Sequence, residues 1–333
     1  MDKHSEASTA YLSAMQLDFP YSSSRLPSLR HGALVVEDAP AVFRIYGPGA
    51  LTCLQGLLTN DLAAPGDGSL VYGAMLSPKG MILFDAWVLR ETSGFTVVTS
   101  ACARTAAVEL FRRTLPPRLA KLADLTDTHR VAWFLGAAAP ERLARAAGVS
   151  IPGHGNVLRM GPGDRWLAAG GTPTAPFTAL LIAETEELAD LTRRFEKSGS
   201  AMGETRDLTA SCILAGWPAL GREIDDKTLP PEVRFDELGG VSYTKGCYTG
   251  QETVARIHFR GHVNRSLRGL TIEGDAPLTD RALMLAGKDV GGVRSALFLE
   301  DRGMALAMVR REVETGAALT VGGRNAQVVA LPF

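Results

Sequence analysis

Only four cysteines occur in the 333 residues, Cys53, Cys102, Cys212 and Cys247, and no two stand at C-x-x-C spacing. Zinc ribbons and cluster loops need that spacing, so no resident metal is expected. No stretch approaches the roughly 20 apolar residues that cross a bilayer, so no membrane-spanning helix is expected. Charge of one sign is lacking too: 35 Lys and Arg face 36 Asp and Glu, a formal net charge of −1. There is then no global field to draw nucleic acid, and the basic excess between Arg104 and Arg145 reads as a solvated helix face. Residues 1–30 lack the basic flank and apolar run of a secretory signal. They read as a poorly ordered arm on a cytoplasmic protein. Short-period repeats and low-complexity tracts are absent as well.

What the chain does have is 46% apolar residues and enough length for two or three cores. Leu51, Leu54, Leu57 and Leu58 recur at helical spacing, with Thr59-Asn60-Asp61 as the stop. Residues 70–76, 81–89 and 95–99 read as a meander of strands, turned by Ser77-Pro78-Lys79-Gly80 and by Ser93-Gly94. Helical periodicity returns over 101–115. A second helix-and-strand set follows, with strands near 131–135, 157–160, 166–169 and 179–183, and helices over 140–147 and 185–198. From about 258 onward, short β-rich runs alternate with glycine turns at 287, 291–292 and 322–323, the pattern of a small barrel or sandwich. The fold class expected is α+β, with two split β-α-β units and an all-β C-terminal domain.

Lys245-Gly246-Cys247-Tyr248-Thr249-Gly250-Gln251-Glu252, continued by Thr253-Val254-Ala255-Arg256, is dense in reactive side chains. Gly246 and Gly250 permit a tight turn or a close approach. A helix beginning near Gln251 would leave Cys247 just before its N-terminus and close to Lys245, and both features favour thiolate. A glycine turn holding an ordinary cysteine explains the same residues. Gln251 and Glu252 are suited to hydrogen-bonding a planar heterocycle, and an exposed polar dipeptide is the plainer account. Cys53 and Cys102, in apolar or alanine-rich surroundings, read as small packing residues.

The run at 245–256 resembles the K-G-C-Y-x-G-Q-E signature of the YgfZ family, folate-binding proteins of iron–sulfur assembly or repair. Residues 54–62 resemble a motif shared with the T-protein aminomethyltransferase of glycine cleavage, and Ser77–Asp85 fits the hairpin of the same group. The resemblance implies two ferredoxin-like α+β units around a central folate cleft, followed by a C-terminal β-barrel. It implies these boundaries: an arm over 1–30, a first unit over 31–130 and 203–257, a second over 131–202, and a barrel over 258–333. The cofactor implied is tetrahydrofolate or a one-carbon derivative, with Asn60, Asp61, Tyr248, Gly250, Gln251, Glu252 and Arg256 as candidate contacts. Cys247, Lys245 and Asp85 are the candidate chemical groups. The partners implied are folate and, transiently, iron–sulfur client or assembly proteins, with no stably bound cluster, no nucleic acid and no membrane.

Two departures stand out. Where relatives read R-I-E-A-G-I-P, this chain has Cys212-Ile213-Leu214-Ala215-Gly216-Trp217-Pro218, so a polar contact to folate is missing there. Where the transferases carry two adjacent acids, Phe84 precedes a single Asp85, which argues against transfer chemistry. Three readings follow: an accessory protein acting through Cys247, a folate-dependent one-carbon transferase using Asp85, and a non-catalytic folate sensor or scaffold.

Overall fold

Strand 129–135 shows how the layers arise. Val131, Trp133 and Leu135 enter one core while Ala132 and Phe134 enter another, the two-residue period of a strand buried on both faces. The structure is a computed structural model that describes residues 17–161, 163 and 165–333. It contains two such double-faced sheets and a barrel.

The first sheet runs in the order Ser69–Leu76, Ile82–Glu91, Gly94–Thr99, Ala41–Tyr46, Lys121–Asp124, every pair antiparallel. Its outer face packs on the helices Ala50–Gln55 and Arg104–Thr114, through Phe43, Phe84 and Phe111 among others. The second sheet runs Ala201–Met202, Leu34–Asp38, His129–Leu135, Ala179–Glu184, Trp166–Gly170, Val157–Met160. Helices Ala139–Ala147 and Thr185–Lys197 cover its outer face. Between the inner faces lies the largest core, which also takes in helix Thr205–Ala215 and barrel residues such as Leu267, Leu297 and Met304. The last six strands, from Arg265–Glu273 to Arg324–Val329, close an antiparallel barrel because Lys288–Phe298 pairs with Arg302–Arg310 as well as with Ala282–Leu285.

The expected fold class is therefore present: two helix-backed sheets and a closed β domain. Three local expectations differ. Helix Ala50–Gln55 stops at Gly56, before Leu57 and Leu58, which are buried in the turn that follows. Strand Leu34–Asp38, read from sequence with the first unit, hydrogen-bonds to His129–Leu135 in the second sheet. Its apolar run carries no mark of which sheet will take it.

The third difference lies in the arm. Residues 1–16 are outside the described residues, but 17–30 are built into the body. Asp18–Pro20 pairs in parallel with the barrel strand, Asp18 opposite Ala296. Phe19 and Tyr21 are buried, and complete burial of a Phe contributes about 1.5–3 kcal/mol. Tyr21 Oη donates to Asp207 Oδ1 at 2.7 Å, and Arg25 grips the same carboxylate through Nε at 3.0 Å and Nη2 at 2.6 Å. Asp207 is completely buried, and its Oδ2 also accepts from the Glu204 N–H at the start of helix Thr205–Ala215. Leu17, Phe19 and Tyr21 do alternate at strand period, but the run is short, holds Pro20 and passes straight into Ser22-Ser23-Ser24, which is why this segment reads as an arm.

Candidate functional site

The motif at 245–256 lies where the 55–62 turn meets the 239–250 segment, and its lysine is spent on backbone. Lys245 is buried and its Nζ donates to the carbonyls of Gln55 at 2.7 Å, Leu58 at 2.8 Å and Asn60 at 2.8 Å. An ammonium has three N–H groups, so none is left for the Cys247 thiol. The expected activation of Cys247 by Lys245 gives way to a structural duty, tying the loop to the end of helix Ala50–Gln55. Burial draws the Lys245 pKa down to about 8, with the charge of Asp61 opposing.

Asn60 and Asp61 are occupied in the same way. Asn60 Nδ2 donates to the carbonyls of Tyr72 and Gly239, and its Oδ1 accepts from the Asp61 N–H. Asp61 Oδ1 accepts from Gln55 Nε2 and from the N–H groups of Ala63 and Ala64. Burial works to raise the Asp61 pKa, but these hydrogen bonds and the Lys245 charge outweigh it and hold the carboxyl below its ordinary value.

Gly250 has φ +82°, and a Cβ there would sit 2.6 Å from the Ser77 carbonyl oxygen. Gly80, at φ +87°, faces Thr253 at 2.8 Å in the same sense. The hairpin motif and the cysteine motif thus touch backbone to backbone. Helix Gln251–Arg260 starts here, as expected, and runs one turn beyond Arg256. Glu252 and Arg256 are exposed, and Gln251 is half-buried. Tyr248 is buried under the Lys245 ammonium, 5.3 Å from Nζ to ring centre, and burial, then Asp236, pushes its pKa up to about 12. Cys247 is exposed, and the other three cysteines are half-buried.

Ten residues were singled out from sequence, and one of them, Asp85, lines the cavity between the two sheets. This cavity of about 250 Å³ is walled by Trp87 from the first sheet, Trp133 and Phe177 from the second unit, and Cys212, Trp217 and Arg222 from helix Thr205–Ala215 and the loop after it. Trp87 stacks on Trp217 with ring centres 5.2 Å apart and planes 15° apart, and Phe177 meets the edges of Trp87 and Trp133 at 4.9 Å. The chain has four tryptophans, and three of them stand in this one wall. That concentration was the available signal, but it becomes visible only when strands 82–91 and 129–135 are laid face to face.

Asp85 shares the inner face with Trp87 and Leu89, while Phe84 points outward against Phe111. Position 84 is thus turned away from the cavity, so its aromatic ring does not bear on cavity chemistry, contrary to the sequence expectation. Tyr72 Oη donates to Asp85 Oδ2 at 3.0 Å. Burial pushes the Asp85 pKa up to about 6, with the Tyr72 hydrogen bond opposing. Cys212 is likewise pushed up to about 11 by burial, so at neutral pH it stays a thiol with little nucleophilic character. Leu214 lines a separate cavity of about 230 Å³ with Leu29 and Phe333, divided from the first by Pro176 and Phe177, which border both.

No group of three or more His, Cys, Asp or Glu suited to a metal ion occurs among the described residues. Nor is any helix among them long and apolar enough to cross a membrane.

Two facing sheets with a ring-lined cavity and an appended barrel define a protein with the aminomethyltransferase T fold. Residues 30–152 match the family model for the GCVT N-terminal domain. The crystal structure of glycine cleavage system aminomethyltransferase T from Bartonella henselae superposes with a TM-score of 0.76, covering 91% of this chain and 87% of that one at 18% identity. Within that class the chain is similar to YgfZ proteins. It is 28% identical over 328 residues to the tRNA-modifying protein YgfZ of Cronobacter sakazakii, across 94% of this chain and 95% of that protein. The tRNA-modifying protein YgfZ of Escherichia coli O157:H7 is 27% identical over 257 residues, 76% of this chain and 74% of that protein.

Proposed function

We propose that the cavity between the sheets binds a reduced folate, and that the protein serves iron–sulfur proteins through the exposed thiol of Cys247. The observation that carries the first half is the cavity wall: three tryptophans and a phenylalanine give an aromatic surface on which a flat ring can lie, with a carboxylate beside it. The donor and acceptor groups present suit a pterin, whose edge offers N–H donors to Asp85. The second half rests on the resemblance of the 245–256 motif and on Cys247 being the exposed cysteine.

Its YgfZ relatives are named for tRNA modification. With 35 basic against 36 acidic residues, this chain has no charge surplus for a phosphate backbone. We therefore place it beside the modifying enzymes rather than on RNA. Asp85, protonating near neutrality, supports a second reading, one-carbon transfer, in which it would hold or move a proton on the folate.

Calorimetric titration with 5-formyl-tetrahydrofolate should show saturable binding, unchanged in Cys247→Ser. The same variant should fail to restore iron–sulfur enzyme activity in cells lacking the protein. No saturable heat removes the folate reading. Full rescue by the serine variant leaves a scaffold, and turnover in a glycine-cleavage assay that is lost in Asp85→Asn promotes the transferase.

A further inference from the structure

Two hydrogen-bond donors in the cavity wall are buried with nothing to donate to. Trp133 is 7% exposed and its Nε1 has no partner; Arg222 is 9% exposed and its Nε has none. The Glu223 carboxylate lies 3.8 Å from that Nε, beyond hydrogen-bond reach, and its oxygens are taken by Ser295 Oγ and the Ala219 N–H. Buried donors are almost always satisfied, by protein, water or ligand, and an indole N–H and a guanidinium can only donate. Both residues line the same cavity as Asp85, and they reach it from different elements. Trp133 comes from the second sheet, Arg222 from the tight loop after Trp217-Pro218, and Asp85 from the first sheet.

We propose that Arg222 and Trp133 are the donors that anchor the ligand of this cavity, and that they receive the ring oxo group of a reduced pterin. This rests on the folate reading and deepens it. Leu214 faces the other cavity and offers this one no polar group. The unpartnered groups of this cavity demand an acceptor on the ligand, with Asp85 left to take the ligand's N–H groups. The same acceptor chemistry is found on the glutamyl carboxylates of a folate tail. The outer faces and edges of the aromatic wall can pack against a flat ring, a contact that the flexible glutamyl tail does not offer.

The test uses the full chain, Arg222→Met and Trp133→Phe, the latter keeping an aromatic ring, though a smaller one, and removing the N–H. Each is titrated with 5-formyl-tetrahydrofolate, with 6-methyl-tetrahydropterin, which has no tail, and with p-aminobenzoyl-glutamate, which has no pterin. Arg222→Met should weaken the first two by about tenfold or more, and Trp133→Phe by about threefold to tenfold. Neither should alter whatever binding p-aminobenzoyl-glutamate shows. Melting temperature without ligand should fall in both variants, because Arg222→Met leaves the buried Glu223 carboxylate without its counter-charge and Trp133→Phe empties part of the core, so each titration is run well below the variant's own midpoint. Arg222→Lys serves if the methionine variant does not fold, and is expected to weaken binding because it moves the donor. Wild-type protein that binds no reduced folate overturns the functional reading and this inference with it. Wild-type binding that both variants retain in full overturns the inference alone. Loss confined to p-aminobenzoyl-glutamate overturns the assignment to the ring.

Discussion

Replacing Asp85 by Asn should make the protein more stable at neutral pH and leave it unchanged in acid. In the fold, burial raises this carboxyl from 3.8 to about 6. Between those two pH values the folded chain keeps a proton that the unfolded chain has already released. The contribution to stability therefore falls as pH rises through that window, and the cost of the buried charge is complete above about pH 6. Two units correspond to a ceiling of about 3 kcal/mol. Because the cavity gives water access to the carboxylate, about 1–2 kcal/mol is the reasonable expectation. Asn keeps an oxygen to accept from Tyr72 Oη and carries no charge, so it escapes the cost. At about 2–4 °C per kcal/mol, the variant should melt about 2–8 °C higher at pH 7.5. The two proteins should converge below pH 4. Thermal denaturation followed by circular dichroism in half-unit steps from pH 4 to 8 measures the difference directly. A difference that is flat with pH, or a variant less stable at pH 7.5, would refute the argument that burial governs this group.

Lys245→Met removes the ammonium from three carbonyls and leaves them buried without a donor. A loss of about 3 kcal/mol is expected, with faster amide exchange at Leu57–Asn60 and in the 240–249 segment; unchanged exchange would contradict the anchoring role. Asp207→Ala strands Arg25 and Tyr21 and uncaps helix Thr205–Ala215. About 3 kcal/mol should be lost, and trypsin should cut after Arg25 faster in the variant than in the unaltered protein; equal resistance there would show that strand pairing alone holds the segment.

Much of the fold was legible because its strands are buried in alternation and its turns are marked by glycine. Trp166–Gly170 and Ala179–Glu184 lie within a residue or two of where the apolar runs put them. Helix Thr205–Ala215 went unread: it mixes Cys212, Ile213 and Leu214 with Ser and Thr, without a clear stripe, although Gly216 in the left-handed region is an ordinary stop signal. The site was only half legible, for a definite reason. Lys245, Asn60 and Asp61 resemble ligand-binding residues, but most of their partners are main-chain carbonyl and amide groups, and a main-chain partner leaves no trace in a sequence. Arg222 and Trp133 stand 89 positions apart with nothing in common locally. What unites them is a cavity that exists only once two sheets have met.

The parallel pairing of Asp18–Pro20 with the barrel strand has a consequence for biosynthesis. A ribosome makes residue 18 first and its partner, Ala296, about 280 residues later. At about 5–20 residues per second, the segment bearing Phe19 and Tyr21 spends some 15–55 s without its strand partner. Both sheets can form in that interval, while the stretch waits as an exposed apolar tether available to a chaperone. Closure of the barrel then lets the beginning of the chain dock beside a strand of its last domain, so the final docking event in assembly joins its earliest and latest parts.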